Sequence, residues 1–278
     1  MQNLGIPLPL ILETPPDPPW IYDPWLTEWD EIMFLNGDPG VGKTTFIGNL
    51  MFSLASGRPF LGSPMQGEPK RIAYLDLDMG ENMIRRNFSQ TFEALGIGKD
   101  EAAVLDERVA VVCRGNEWGD SLGDKIPDGG MNITHDRKHK VIANIIERSN
   151  ADIVVIESWT DFCSGAVELN DAGQTSRAFS YLKGIKPGVN YWIVHHNTKS
   201  RYEAGGKVKK AAMYMGAGSA IIAKDAYRGY NLTNMNSTDG LHTINLHCWK
   251  ARGVVEPEDV EYYFGTASDG RFVMGCGK

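Results

Sequence analysis

The sequence predicts an α/β fold with a largely parallel sheet and helices on both faces. Apolar runs of strand length recur along the chain, and stretches with helical periodicity separate them. Strands that alternate with helices are typical of parallel sheets, because the crossover helices cover the two faces. A chain of 278 residues is long enough to bury such a core. We find no internal repeat and no clear linker, and we predict one domain over residues 31–278.

The segment before this domain is rich in proline and tryptophan. Prolines as dense as those in residues 1–30 are incompatible with the interior of a helix or a sheet. The tryptophans are too apolar for a free tail. We therefore expect residues 1–30 to form an extended N-terminal arm that packs on the core or on a neighbouring subunit.

Short apolar runs predict the strands, and apolar residues at helical spacing predict the helices between them. In chain order, strands are expected at 31–36, 71–78, 109–113, 151–157, 190–196, 218–231 and 243–251. Helices are expected at 45–56, 81–95, 136–149 and about 172–183. Gly57 lies where the first helix would have its C-cap. Residues 114–135 are rich in Gly and Asp and predict a loop.

Between the first strand and the first helix lies the phosphate-binding pattern G-x-x-x-x-G-K-T. Its residues are Gly37, Asp38, Pro39, Gly40, Val41, Gly42, Lys43 and Thr44, and Thr45 follows them at the start of the helix. The glycines let successive backbone N–H groups surround a phosphate, and the helix points its positive end at the same anion. Lys43 is expected to reach the β- and γ-phosphates, and Thr44 to hold Mg²⁺. We predict that residues 37–45 bind ATP with Mg²⁺.

Carboxylates stand near the ends of two predicted strands, beyond which the ligand of an open parallel sheet binds. Glu157 follows four β-branched residues, which is the Walker-B position, where a carboxylate orients Mg²⁺ or its waters. The usual residue there is Asp. Asp78 ends the second strand and could orient and deprotonate the attacking water. Asp76, on the same face, and Glu81, one helical turn later, are the alternatives to Asp78.

Two histidines end the strand 190–196. Because successive strand residues point to opposite faces, only one of His195 and His196 can approach the γ-phosphate, where it would act as a phosphate sensor. No third histidine or carboxylate has metal-ligand spacing to them, and the four cysteines are scattered without a C-x-x-C pair. The sequence therefore predicts neither a zinc site nor a disulfide framework.

The segment 197–215 combines cations with interleaved tyrosines. Its basic residues are Lys199, Arg201, Lys207, Lys209 and Lys210, and Glu203 is its one acid. A flexible basic loop with aromatics suits the backbone and bases of a single-stranded nucleic acid, although a solvated charge run has a similar composition. With a net charge of −7, any contact with DNA must come from such a local patch.

Composition is ordinary for a globular protein, with 42% hydrophobic and 23% charged residues. The sequence has no apolar stretch that approaches the length of a membrane span. The N-terminus has no basic region before an apolar core. We therefore expect a cytoplasmic protein that has no membrane partner.

Taken in this order, the motifs resemble those of the RecA-like ATPases, and among them the hexameric RepA-type replicative helicases of plasmids. The resemblance extends from near Trp20 to the region of Lys250, within the DnaB- and KaiC-like superfamily. Beyond the phosphate-binding loop it rests on residues 74–78, 153–157 and 194–196 with the basic loop that follows. Lys250-Ala251-Arg252-Gly253 is similar to the K-x-R pair that DnaB-like and KaiC-like rings insert into the neighbouring subunit's ATP site.

The resemblance implies a role for each matching residue. Asp78 takes the place of the catalytic carboxylate, usually Glu, and Glu157 that of the Walker-B acid. His196 matches the γ-phosphate sensor, and Lys250 and Arg252 match the fingers supplied in trans. Residues 197–215 match the loop that binds DNA in the central channel. Since the carboxylate at Asp78 is one methylene shorter than usual, Glu81 stays open as the base.

On this resemblance we expect an ATP-dependent DNA helicase or translocase from the replication system of a plasmid, phage or other mobile element. Its expected partners are single-stranded DNA and further copies of the chain in a hexameric ring, and a primase or an initiator protein also fits the family. Two other functions stay open. One is a recombination or strand-annealing ATPase that binds DNA without unwinding it. The other is a KaiC-type regulatory ATPase, against which the basic loop argues.

Overall fold

A nine-stranded sheet forms the centre of the protein. The structure is a computed structural model that describes residues 19–114, 136–162, 171–197, 221–238 and 240–277. The strands are β1 (Trp20–Tyr22), β2 (Leu26–Thr27), β3 (Ile32–Gly37), β4 (Ile72–Gly80), β5 (Val109–Arg114), β6 (Ile153–Glu157), β7 (Asn190–His196), β8 (Arg228–Thr238), β9 (Leu241–Ala251), β10 (Val260–Thr266) and β11 (Phe272–Cys276). The helices are α1 (Lys43–Ser56), α2 (Glu81–Leu95), α3 (Lys99–Leu105), α4 (Asp136–Ser149), α5 (Trp159–Phe162), α6 (Ala172–Ile185) and α7 (Ile221–Asp225).

The strand order of the large sheet is β11-β10-β9-β8-β3-β7-β6-β4-β5. From β8 to β5 all neighbouring strands are parallel, whereas β9, β10 and β11 extend the sheet in antiparallel fashion. Since parallel strands align their carboxyl ends, the residues that follow β3, β4, β6 and β7 emerge at one edge. The predicted α/β class with a largely parallel sheet is confirmed.

Alternation along the strands divides the buried side chains between two cores. In β3, Met33 and Leu35 point into a first core, which α1, α2 and α3 cover. Ile32 and Phe34 point into a second core, which α4, α5, α6 and α7 cover. The helices therefore lie on both faces of the sheet, as predicted. On any strand of the sheet, a residue whose side chain points to the same face as Met33 and Leu35 is in step with them and faces α1.

Residues 19–30 pack on the first core. Strands β1 and β2 form a small antiparallel sheet, and the side chains of Ile21, Tyr22, Trp25 and Leu26 are buried. The Tyr22 hydroxyl donates a hydrogen bond to the Arg58 carbonyl at 2.7 Å. This part of the predicted arm thus lies on the core of its own chain. Residues 1–18 are outside the described part, and the division into an arm and a domain stays a prediction.

A buried ion pair fixes this segment to β8. Asp30 is 1% exposed and Arg228 is 0% exposed. The Arg228 Nε donates to Asp30 Oδ2 at 3.1 Å, and the Thr27 N–H donates to the same oxygen at 2.8 Å. The carboxylate therefore binds the end of the N-terminal segment and the start of a central strand at once.

The predicted secondary structure differs from the observed one mainly in the last third of the sequence. The strand predicted over 218–231 is wrong in part, because residues 221–225 form α7 and β8 begins at Arg228. A short apolar run has no periodicity that separates a helix from a strand. Neither β10 nor β11 was predicted, nor were the short helices α3 and α5. The predicted loop 114–135 lies, apart from Arg114, outside the described residues.

Bilayer crossing by a helix requires length and sustained apolar character. In the described segments, none of the helices has both.

The buried pair gives a prediction about stability. Asp30→Asn should lower the free energy of unfolding by about 3–5 kcal/mol, because it leaves a guanidinium buried without its counter-charge. Urea denaturation followed by circular dichroism measures the loss. Asp269→Asn is the matched control, since Asp269 pairs with Arg271 at 2.6 Å on the surface, and its midpoint should equal that of the wild type. Equal midpoints for the Asp30 and Asp269 variants would contradict the prediction.

Candidate nucleotide-binding site

In the turn between β3 and α1, the backbone adopts positive φ angles, a conformation that favours glycine. Gly40 has a φ of 77° and Gly42, the N-cap of α1, has a φ of 97°. At Gly42 a side chain has no room either, because an added Cβ would lie 2.3 Å from Cζ of Phe264. The aromatic ring, which comes from β10, packs directly against the loop. Both glycines therefore satisfy a conformational requirement, and Gly42 satisfies a steric one as well.

Lys43 is buried within this loop. It is 6% exposed, and its Nζ donates to the carbonyls of Gly37 at 2.9 Å and Asp38 at 3.0 Å. Burial lowers the pKa of Lys43, while the negative charges of Glu157, Asp38 and Asp78 raise it. The ammonium group thus lies inside the turn, where it would contact a bound phosphate.

Thr44 and Glu157 are in direct contact. Glu157 ends β6 on the side of α1, in step with Ile153 and Val155 of the first core. The Thr44 hydroxyl donates to Glu157 Oε1 at 2.6 Å, and the Tyr74 hydroxyl donates to Oε2. Burial raises the pKa of Glu157, whereas the hydrogen bonds from Thr44 and Tyr74 lower it.

The oxygen atoms of Thr44 and Glu157 fit a magnesium ion. Hydroxyl and carboxylate oxygens are donors that Mg²⁺ prefers, and the 2.6 Å contact brings the two predicted ligands to one point. Among the described residues, no group of three or more His, Cys, Asp or Glu side chains could hold a metal. A magnesium ion here would accordingly take most of its ligands from water and nucleotide, which is usual for Mg²⁺.

The candidate bases at the end of β4 have different surroundings. Asp76 is buried, whereas Asp78 is exposed. Burial is the main cause of the pKa shifts of Lys43, Glu157 and His196, and the negative charge of Asp78 makes a smaller, upward contribution to each. The carboxylate of Asp78 therefore lies close enough to influence all three groups. Glu81 begins α2 and instead pairs with Arg85 at 3.3 Å. These surroundings favour Asp78 over Glu81 as the base.

The two histidines separate as the alternation predicts. His196 lies half-buried on the side of α1, with its Nδ1 3.3 Å from Lys43 Nζ. Burial and then the charge of Lys43 lower the pKa of His196, while Asp78 and Asp161 raise it. His195 is fully buried on the other side, edge-on to the ring of Phe34. Only His196 of the pair is thus beside the phosphate-binding loop.

Lys250 and Arg252 are far from their own loop along the sheet. Lys250 pairs in register with Gly229 near the start of β8, and Arg252 N–H donates to Tyr227, just before that strand. Because β8 is parallel to β3, Arg252 lies at the amino-terminal edge, opposite the edge that carries the loop. Both side chains donate to carbonyls at the C-terminal end of α7, and the Arg252 guanidinium lies 4.8 Å from the centroid of the Tyr227 ring.

The predicted DNA-binding cations are outside the described residues. These are Lys199, Arg201, Lys207, Lys209 and Lys210. The residue that precedes them in the described part is Asn197, which is 8% exposed. Its backbone N–H donates to the Gly37 carbonyl at 3.2 Å, and its side-chain Nδ2 donates to Asp38 Oδ1 at 3.2 Å. The start of the basic segment is therefore bound to the phosphate-binding loop.

Sequence reasoning missed Tyr74, Asn197 and Phe264. The spacing contains a signal for Tyr74, because it is in step with Asp76 and therefore faces α1. Asn197 could have been found as the polar residue that follows His196 at the ligand edge. No sequence signal points to Phe264, since its contact with Gly42 depends on the docking of β10 against α1.

Most of the N-terminal two thirds of the chain matches a known family. A family model described as an AAA domain matches residues 8–202, which is more than half of the chain. The chain belongs to the AAA domain family. With an intact phosphate-binding loop, this AAA domain is a P-loop ATPase. No curated protein matches its sequence.

Solved structures with the same fold include a KaiC-like protein and an ATPase domain. A KaiC-like protein from the hyperthermophilic archaeon Pyrococcus horikoshii is 17% identical, with a TM-score of 0.53, and the match covers 90% of each chain. The ATPase domain of G40P is 13% identical, with a TM-score of 0.54, and the match covers 88% of this chain and 84% of that one. At these identities the likeness shows the fold alone. The AAA domain has the RecA-like architecture that was predicted.

The surroundings of Asp78 and Glu81 predict different effects of mutation. Asp78→Asn should keep ATP affinity and lose hydrolysis, because the carboxylate that orients the water is gone. Glu81→Gln is the matched control and should leave the rate within about twofold, since surface ion pairs contribute little. Single-turnover hydrolysis and fluorescent nucleotide binding measure the two effects. Loss of hydrolysis in Glu81→Gln with retention in Asp78→Asn would assign the base to Glu81.

Proposed function

We propose that this AAA domain is an ATP-dependent DNA helicase or translocase of the replication system of a plasmid, phage or other mobile element. The observation that carries the proposal is the link between the phosphate-binding loop and the start of the basic segment. Asn197 binds Gly37 and Asp38, and the neighbouring His196 lies beside Lys43. A change at the γ-phosphate would therefore reach the segment 198–215 through two adjacent residues.

On this proposal each side chain of the site has a separate task in ATP hydrolysis. Lys43 and the loop N–H groups would hold the phosphates, while Thr44 and Glu157 would hold Mg²⁺. Bound Mg²⁺ would neutralise negative charge on the β- and γ-phosphates. Asp78 orients the attacking water. His196 exchanges its contact with Lys43 for one with the γ-phosphate, so its position differs between the ATP and ADP states.

The position of Arg252 supports a head-to-tail assembly. Arg252 and the phosphate-binding loop lie at opposite edges of the sheet, so a contact between Arg252 and ATP would join two subunits. A repeated head-to-tail contact closes into a ring when the rotation permits, and single-stranded DNA would then pass through the centre. In the single chain, the carbonyls of α7 hold Lys250 and Arg252. We propose that these contacts are exchanged for nucleotide contacts when subunits assemble.

The basic segment gives a prediction about DNA. Replacing Lys207, Lys209 and Lys210 with Ala should weaken single-stranded DNA binding and flatten its salt dependence, because each neutralised phosphate releases counterions. Fluorescence anisotropy over a series of salt concentrations measures both effects. The matched control replaces Lys99 on α3, Lys140 on α4 and Lys186 directly after α6, and it should bind as the wild type does.

A forked duplex then separates the helicase from its alternatives. The wild type should displace the strand with ATP, and the Lys207, Lys209 and Lys210 variant should not. Binding and hydrolysis without displacement would favour the recombination or strand-annealing ATPase. Equal DNA affinity in the two triple variants would remove the support for a DNA function.

A mixing experiment tests the contact in trans. Arg252→Ala should lower hydrolysis by about 10³-fold, because an arginine finger stabilises the charge of the transition state. Lys43→Ala should also abolish hydrolysis, since it removes the phosphate-binding ammonium. Mixed together, the variants should regain part of the activity, as an intact Arg252 meets an intact loop across some interfaces.

Arg271→Ala is the matched control for loss of an arginine. Arg271 lies on the surface beside Asp269, so this variant should hydrolyse ATP at the wild-type rate. Full activity of Arg252→Ala alone, or no recovery on mixing, would contradict the finger assignment.

A further inference from the structure

The end of β4 leaves regular pairing just before Asp78. Asp76 still pairs in register with Glu157 of β6 and with Cys113 of β5. Beyond it the register shifts, and the next paired residue of β4 is Gly80. In this gap the side chain of Asp76, and not a neighbouring strand, accepts hydrogen bonds from the backbone of β4. Its Oδ1 accepts the backbone N–H groups of Asp78 at 3.1 Å and of Met79 at 2.8 Å.

Asp76 makes these bonds from inside the protein. Its exposure is 0%, and within the described residues its Oδ2 has no hydrogen-bond partner. Burial raises the pKa of Asp76 to about 7. Burying a carboxyl group is costly unless hydrogen bonds compensate for the lost water. The one set of hydrogen bonds that Asp76 makes therefore indicates what this residue contributes to the structure. That set consists of the two amides that carry Asp78 out of the sheet.

Asp78 needs such a support because it stands outside the sheet. On a regular strand Asp78 would be in step with Asp76 and would face the first core, yet it is exposed. Its charge nevertheless influences Lys43, Glu157 and His196. The direction of the side chain therefore depends on the backbone turn that Asp76 binds.

We propose that Asp76 is a positioning residue, which holds Asp78 in line with the phosphate-binding loop through the amides of Asp78 and Met79. The inference rests on the proposed hydrolysis of ATP with Asp78 as the base. A misplaced catalytic group costs a large part of the rate, and a shift of about 1 Å can cost about 10²-fold. Asp76 contributes to the rate without touching the nucleotide.

The test compares Asp76→Ala with Asp76→Asn. Asparagine keeps an oxygen that can accept both amides, and no hydrogen bond of Oδ2 is lost. Asp76→Ala should lower kcat by about 10- to 100-fold with KM for ATP unchanged, because Asp78 loses its support. Asp76→Asn should keep the kcat of the wild type. Hydrogen exchange should show that the amides of Asp78 and Met79 lose protection in Asp76→Ala and keep it in Asp76→Asn.

Asp152→Ala is the matched control, because Asp152 accepts the N–H of Arg71 at 2.8 Å beside the opposite end of β4. It should leave kcat unchanged. If Asp76→Ala does not fold, Asp76→Ser takes its place, since the shorter side chain cannot reach both amides. Loss of protection without loss of kcat, or loss of kcat without loss of protection, would overturn the positioning role. A wild type that does not hydrolyse ATP would instead overturn the proposed function.

Discussion

The buried carboxylate of Glu157 is the group on which the site depends. A buried charge costs several kcal/mol unless it is paired, and hydrogen bonds to a charged group contribute about 1.5–3 kcal/mol each. Thr44 and Tyr74 supply two such bonds from α1 and β4. The carboxylate thereby joins the helix after the phosphate-binding loop to two central strands. Any ligand that draws Thr44 away must compensate Glu157 in turn, and a divalent cation would do so.

Strand alternation decides which side chains share this place. Tyr74, Asp76, Glu157 and His196 come from three parallel strands, yet all are in step with the first core. His195, one residue earlier, is buried on the other side. Because the strands end at one edge, a common face is enough to bring the polar residues together. The chemistry of the site therefore follows from two general properties of parallel sheets, the period of two and the common edge.

These two properties also explain what could be predicted. The phosphate-binding loop, the two candidate magnesium ligands Thr44 and Glu157, and the separation of His195 from His196 follow from local pattern and strand parity. The assignment of His196 as the sensor came from the resemblance to RecA-like ATPases. The contacts of Asn197 and Phe264 do not, because they depend on where distant segments dock. The strand predicted over 218–231 failed for a related reason, since a short apolar run adopts the conformation that its surroundings favour. Local sequence pattern therefore does not predict features that depend on tertiary contacts.

The ring of Phe264 against Gly42 has a consequence for synthesis on the ribosome. The strand that carries Phe264 leaves the exit tunnel well after the loop that it supports, because Gly42 precedes Phe264 in the chain. Until β10 has docked, α1 lacks this support, and Phe46 lacks the ring of Tyr262 against which it packs edge-on. Domains fold as units, and incomplete ones expose apolar surface. The packing around the phosphate-binding loop is therefore complete only after β10 has been synthesised and has docked.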